Sequence, residues 1–164
     1  MTPLSHFDDA GAARMVDVGG KPETLRAATA SGTVTMRPET LALIRDRGVA
    51  KGDVLAVARL AGITGAKQTG ALIPLCHPLP LTGVTVDFAF PDAVTLSITA
   101  TARVFGRTGV EMEALVAVST AALTVYDMAK AADRTMTIGN VRLESKSGGR
   151  TGDFHRDAPE TGGK

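Results

Sequence analysis

The stretch GVEMEALVAVSTAALTVYDMAKAAD, Gly109–Asp133, decides the fold of this chain. It holds no proline and no glycine after its first residue, and nearly every side chain is apolar or small. A run of that length, rich in alanine, predicts an α-helix able to lie close against other backbones. Thr108 followed by Glu111 has the spacing of a capping box and places the helix start there. So apolar a helix must be buried around most of its circumference. It nevertheless carries Glu111, Glu113, Asp127 and Lys130.

At about 100° per residue, Glu113, Thr120, Thr124 and Asp127 fall within about 60° of one another, a single polar seam. Lys130 follows Asp127 by three residues, so their side chains are neighbours. Burying a carboxylate is costly unless it is paired or neutralised. Two readings stay open for the seam: a wet or internally hydrogen-bonded helix face, or a functional pair at Asp127 and Lys130.

On the N-terminal side of the helix, Val84, Val86, Phe88 and Phe90 alternate with polar or small residues. After Pro91-Asp92-Ala93, Val94, Leu96, Ile98, Ala100, Ala102 and Val104 do the same. This predicts a β-hairpin with one packed face. On the C-terminal side, IGNVRLESK, Ile138–Lys146, reads as a final strand, and from Ser147 the composition becomes that of a loose tail.

Before the hairpin, Ala71–Leu81 contains Pro74, Pro78 and Pro80 and reads as a rigid extended connection. Asp53 is the expected N-cap of a helix over VLAVARLAGITGAKQ, whose Val54, Val57, Ala58 and Ala61 share a face. Pro38 starts a short helix, PETLALIRDR, with Gly48 as its stop. Leu25–Met36 reads as a strand broken or bulged at Gly32, and Arg14–Val18 as a short β-like piece. Residues 1–12 read as a loose arm. Antiparallel strands with intervening helices make this an α+β fold, a ferredoxin-like sheet with helices on one face, in a single domain with arms at about 1–12 and 147–164.

The 164 residues are 44% hydrophobic with a formal charge of +1, enough for one real core and no whole-protein signal for nucleic acid or an anionic membrane. Cys76 is the only cysteine, so no disulfide framework exists and a cytoplasmic location is expected. No uninterrupted apolar run approaches a membrane span, and no signal-peptide core opens the chain. Five Phe, one Tyr and no Trp argue against a base-stacking surface.

Lys51 precedes a helix N-terminus, where backbone N–H groups favour an anion; a plain loop lysine is the alternative. Lys67, closing the same helix, is equally well explained as a cation at a helix C-terminus. His77, between Cys76 and Pro78, can protonate a leaving group or bind phosphate from a stiff loop, against the default of a structural histidine. Cys76 and His77 lack the further ligands a zinc site needs. Glu111 and Glu113 suit the first turn of a helix on dipole grounds alone, and Glu113 has the better functional case because it shares the seam with Asp127. SGGRTG matches no phosphate-loop fingerprint, yet Lys146 just before it can reach an anion.

Together, MVDV (Met15–Val18), KGDV (Lys51–Val54), ARLAGI (Ala58–Ile63), Ala66-Lys67, LIPLCHPL (Leu72–Leu79), GRTGVEMEAL (Gly106–Leu115), AALTVYDMAK (Ala121–Lys130) and KSGG (Lys146–Gly149) resemble one family. It is the molybdenum-cofactor biosynthesis protein C family of cyclic pyranopterin monophosphate synthases, and the resemblance covers about residues 4 to 154.

The resemblance implies a lyase without a cofactor. Its substrate would be 3′,8-cyclo-7,8-dihydroguanosine 5′-triphosphate, and its products cyclic pyranopterin monophosphate and diphosphate. It implies Asp127 and Lys130 as the catalytic pair and Leu75, Cys76, His77, Met112 and Glu113 as substrate contacts. Lys51, Glu111 and Lys146 would also lie at the site. It further implies a hexamer, a trimer of dimers.

The chemistry agrees with the residues: ring opening, pterin formation and diphosphate expulsion need proton transfers and cations rather than redox groups. A desolvated Lys130 beside Asp127 suits proton transfer. Glu113 and Asp127 are 14 residues apart, about 21 Å along one helix axis. Both cannot touch the same reacting atoms from one chain, so a composite site between subunits is expected.

Three rival readings stand beside this one. A non-catalytic nucleotide-binding module would use the same cations. An RNA-binding sheet is disfavoured because Phe88 and Phe90 fall in the buried register. A zinc hydrolase would rest on Cys76 and His77 alone.

Overall fold

The computed structural model describes residues 10–149 and 152–156. The expected arm over 1–9 and the tail positions 150, 151 and 157–164 lie outside the described residues. Nine elements follow in order: β1 (Thr24–Thr35), α1 (Pro38–Arg45), α2 (Val54–Lys67), α3 (Thr69–Leu72), β2 (Gly83–Ala89), β3 (Thr95–Gly106), α4 (Glu111–Ala129), β4 (Thr137–Ser147) and β5 (Phe154–His155).

The sheet is antiparallel throughout, in the order β2-β3-β1-β4-β5. The first four strands have the ferredoxin-like arrangement, with α2 between β1 and β2 and α4 between β3 and β4. β1 and β3 lie at the centre because both alternate strictly. Ala28, Ala30 and Val34 face the helices with Leu96, Ile98, Ala100, Ala102 and Val104, while Thr29 and Thr101 share a hydrogen bond at 2.8 Å on the opposite face.

α4 lies across this apolar face and buries Ala114, Ala117, Val118, Ala121, Ala122 and Val125. Each fully buried side chain of the Ile98 or Leu96 class contributes roughly 1.5–3 kcal/mol. Small residues set the closeness. A Cβ on Gly32 would lie 2.6 Å from Val118 Cγ1, and one on Gly62 would lie 2.9 Å from the Ala117 carbonyl. Among the described residues, α4 alone is long and apolar enough to cross a membrane, but half of its apolar window is buried inside the fold.

Several expectations change in detail. β1 runs unbroken past Gly32; the irregularities lie in β4, where extra residues sit opposite Thr29/Ala30 and Ser31/Thr33 and Asn140 takes φ +53°. One of these irregularities falls opposite Gly32, where a bulge was expected, and Gly32 is also needed for the approach of α4. Arg14–Val18 forms no strand. Ala71 and Leu72 belong to α3, so the extended connection begins only after them.

In α2 the buried face is Val54, Ala58, Gly62, Gly65 and Ala66, and Val57 is 44% exposed, because the glycines and not Val57 meet α4. After α1 the left-handed position is Arg47 (φ 57°), one residue before the expected stop at Gly48. Phe154 and His155 pair with Lys146 and Ser145, a short ladder within the stretch read as tail.

Candidate active site

The N-terminal end of α4 is built without the expected capping box. Val110 is the N-cap, and no side chain caps it. The Glu111 carboxylate turns instead to Lys146, with Nζ 3.1 Å from Oε1. It folds back over Gly109, where any Cβ would collide with it. Glu113, two residues further along on the core side, is buried at 4% exposure. Burial pushes its carboxyl up, and the charge of Glu111 adds to the rise, partly offset by its own main-chain N–H.

Two adjoining cavities open around this end. The larger, about 680 Å³, lies between β1, the loop leading into α4 and the end of β4. Lys21, Arg26, Arg107 and Lys146 line it together with Glu111. Arg26 donates from Nε to the Gly106 carbonyl at 2.9 Å and from a terminal nitrogen to the Arg107 carbonyl at 3.1 Å, tying that loop to β1. Gly148 (φ +86°) and Gly149 (φ +88°) complete the wall, where side chains would strike the Leu25 carbonyl and the Arg26 guanidinium.

The smaller cavity, about 290 Å³, is lined by Leu75, Cys76, His77, Met112 and Glu113. It shares Lys21, Thr108, Gly109 and Glu111 with the larger. The proline-flanked loop therefore brings His77 and Cys76 to the buried carboxyl. Burial, then the Glu113 charge, pushes the Cys76 thiol up. Among the described residues no group of three His, Cys, Asp or Glu side chains is placed to hold a metal.

The other end of α4 carries a separate cluster. Lys130 Nζ donates to Asp127 Oδ1 at 2.6 Å, and Lys51 Nζ lies 3.5 Å from Oδ2. These partners, Lys130 foremost and then Lys51, hold the Asp127 carboxyl below the usual carboxylate range. The seam between the two ends is closed: Thr120 and Thr124 donate back to the Val116 and Thr120 carbonyls, and Gly65 of α2 packs onto Thr120. Lys130 is the C-cap and not a mid-helix residue, and its side chain is 49% exposed, so the expected desolvation does not exist within one chain. Neither cavity is lined by Lys51, Asp127 or Lys130.

The profile described as the MoaC family matches residues 15–149, which include both ends of α4 and both cavities. The chain belongs to the MoaC family.

Three MoaC-family relatives show what the chain is similar to. A cyclic pyranopterin monophosphate synthase of Brevibacillus brevis is 59% identical over 93% of this chain and 96% of its own length. One of Thermomicrobium roseum is 59% identical over 98% and 97%. The cyclic pyranopterin monophosphate synthase 1 of Mycobacterium bovis is 58% identical over 96% and 92%. The resemblance read from the motifs is therefore the right one, and the relatives are named as enzymes.

Within this MoaC-family chain, the ten expected site residues divide in two. Leu75, Cys76, His77, Met112, Glu113, Glu111 and Lys146 gather at the cavities, while Lys51 joins Asp127 and Lys130 at the far end. Sequence reasoning passed over Lys21, Arg26 and Arg107 as cavity cations. The signal for Arg26 was weak because it acts across 80 residues, through the β1–β3 pairing.

Proposed function

We propose that this single-domain MoaC-family chain acts as a cyclic pyranopterin monophosphate synthase. It converts 3′,8-cyclo-7,8-dihydroguanosine 5′-triphosphate to cyclic pyranopterin monophosphate and diphosphate. The observation that carries the reading is the paired cavity: a four-cation compartment continuous with one holding a buried carboxyl, a histidine and apolar walls. The first suits a triphosphate and the second the edge of a purine-derived ring.

Lys21, Arg26, Arg107 and Lys146 neutralise the triphosphate and the charge that develops on the departing diphosphate. Glu113, inclined to hold its proton, meets the guanine-derived edge, and His77 lies where a leaving group needs a proton. Asp127 and Lys130 transfer protons during ring opening and pterin formation. We place them in the site from a neighbouring subunit, in a hexamer built as a trimer of dimers, because α4 runs unbroken between Glu113 and Asp127. That neighbour also supplies the desolvation that Lys130 lacks in one chain. The residues suffice for this acid–base route, and a cytoplasmic setting fits it.

Incubating the purified protein with the cyclised dihydro-GTP tests the activity: stoichiometric diphosphate and a pterin product are expected, and absence of both overturns it. Mixing inactive Lys130→Ala with inactive His77→Ala protein tests the shared site. Partial recovery of turnover is the expected result, and none at any ratio sinks the composite arrangement.

A further inference from the structure

Among the described residues, Asp133 is the most thoroughly buried charged group that neither cavity uses, with a side chain 1% exposed. Its carboxylate accepts from Arg37 N at 3.0 Å, Thr135 N at 2.9 Å and Thr135 Oγ1 at 2.7 Å, and Arg37 Nε lies 3.5 Å away. Arg37 donates as well to the Ala132 carbonyl, and Tyr126 Oη donates to the Arg134 carbonyl at 3.3 Å. The segment leaving α4 is thus tied down at three successive residues, to the junction of β1 with α1 and to α4 itself.

Ending a helix takes much less: main-chain bonds from Ala132 and Asp133 to the Ala129 carbonyl already turn the chain. What the extra ties do is fix the residues that follow Lys130. Lys130 is the C-cap of α4, so the path of its side chain to Asp127 depends on how the next turn is held. We propose that Asp133, clamped by Arg37, is a positioning residue that holds Lys130 against Asp127. This rests on the reading of Asp127 and Lys130 as the proton-transfer pair. The clamp residues Arg37, Asp133 and Thr135 line neither cavity, so loosening the clamp acts on the chemical step and spares substrate binding.

The test is a comparison of Asp133→Ala, Asp133→Asn and Arg37→Gln by steady-state kinetics, by thermal melting and by acetylation of Lys130 with acetic anhydride read by mass spectrometry. Asp133→Ala is expected to lower kcat about tenfold or more with KM nearly unchanged, and to speed acetylation of Lys130. Asp133→Asn keeps one acceptor oxygen but turns an NH2 toward the N–H groups at the other, so it falls between alanine and wild type in kcat and in acetylation rate. Arg37→Gln shifts both in the same direction as alanine and decides the matter if Asp133→Ala does not fold.

Folded variants with wild-type kcat and wild-type acetylation overturn the proposal, as does a rise in KM alone. A wild-type protein without turnover overturns the proton-transfer reading instead. The acetylation rates then still decide whether Asp133 places Lys130.

Discussion

Lys51 Nζ lies 3.0 Å from the main-chain carbonyl of Asp127 and 3.5 Å from its carboxylate, reaching across 76 residues of sequence. A lysine from the loop before α2 thus satisfies one of the last carbonyls of α4 and shares its aspartate with Lys130. Replacing Asp127 by Asn keeps the shape and removes the charge both lysines answer to. We expect Asp127→Asn to bind substrate with near-native affinity by calorimetry and to lose about a hundredfold or more in turnover. Since the Asp127 carboxyl sits below its usual value of 3.8, its ion pairs stabilise the fold above that pH and are lost only as the pH falls through the depressed value. A variant that turns over normally removes the aspartate from the mechanism.

Glu113 has the opposite sign. Its carboxyl is raised above 4.5 by burial, so the folded chain holds the proton more tightly than the unfolded one. Stability therefore declines as the pH rises from about 4.5 through the raised value, and ionised Glu113 is a burden at neutral pH. Glu113→Gln is expected to melt higher than wild type at neutral pH, with the gap closing near pH 4, while turnover drops. Equal gaps at both pH values disprove the assignment of burial as the cause.

Arg26 is a fork whose two nitrogens serve two carbonyls, Gly106 and Arg107. Lysine keeps the charge and cannot reproduce that geometry. Arg26→Lys is expected to raise KM for the triphosphate about tenfold, and to weaken inhibition by diphosphate, with a smaller change in kcat. Initial-rate kinetics with added diphosphate check it; an unchanged KM shows that loop placement does not matter.

Gly148 combines a positive φ with a main chain passing hard against the Leu25 carbonyl. Any side chain must both strain the backbone and push β1 away from β4. Gly148→Ala is expected to lose more than about 1 kcal/mol of stability in urea unfolding. It should also open the cation compartment, giving weaker substrate binding.

The helix over Glu111–Ala129 and the hairpin were legible because each is a local pattern: a mostly apolar run without proline or glycine, and an alternation that holds through Phe88, Phe90 being exposed beyond the end of β2. The stretch Ala71–Leu81 was legible as a stiff loop, apart from Ala71 and Leu72 at the end of α3, because three prolines leave it little choice. The capping box was misread because Lys146, distant in sequence, competes for Glu111. Val57 was misread because periodicity does not say that glycines, and not the larger apolar residue, face the neighbouring helix. Arg26, Arg107 and Asp133 carried no local signature at all; their roles exist only once β1 pairs with β3 and the turn after α4 meets Arg37.

The closed seam along α4 makes the helix a calliper whose two jaws carry different chemistry. Adding one residue near its middle would swing the far jaw by about 100° and carry it about 1.5 Å outward. The composition would hardly change, yet the lysine and aspartate would then point toward other walls. Length variation in such a chain is affordable only in loops that carry no site residue, where no distance between reacting groups is being gauged.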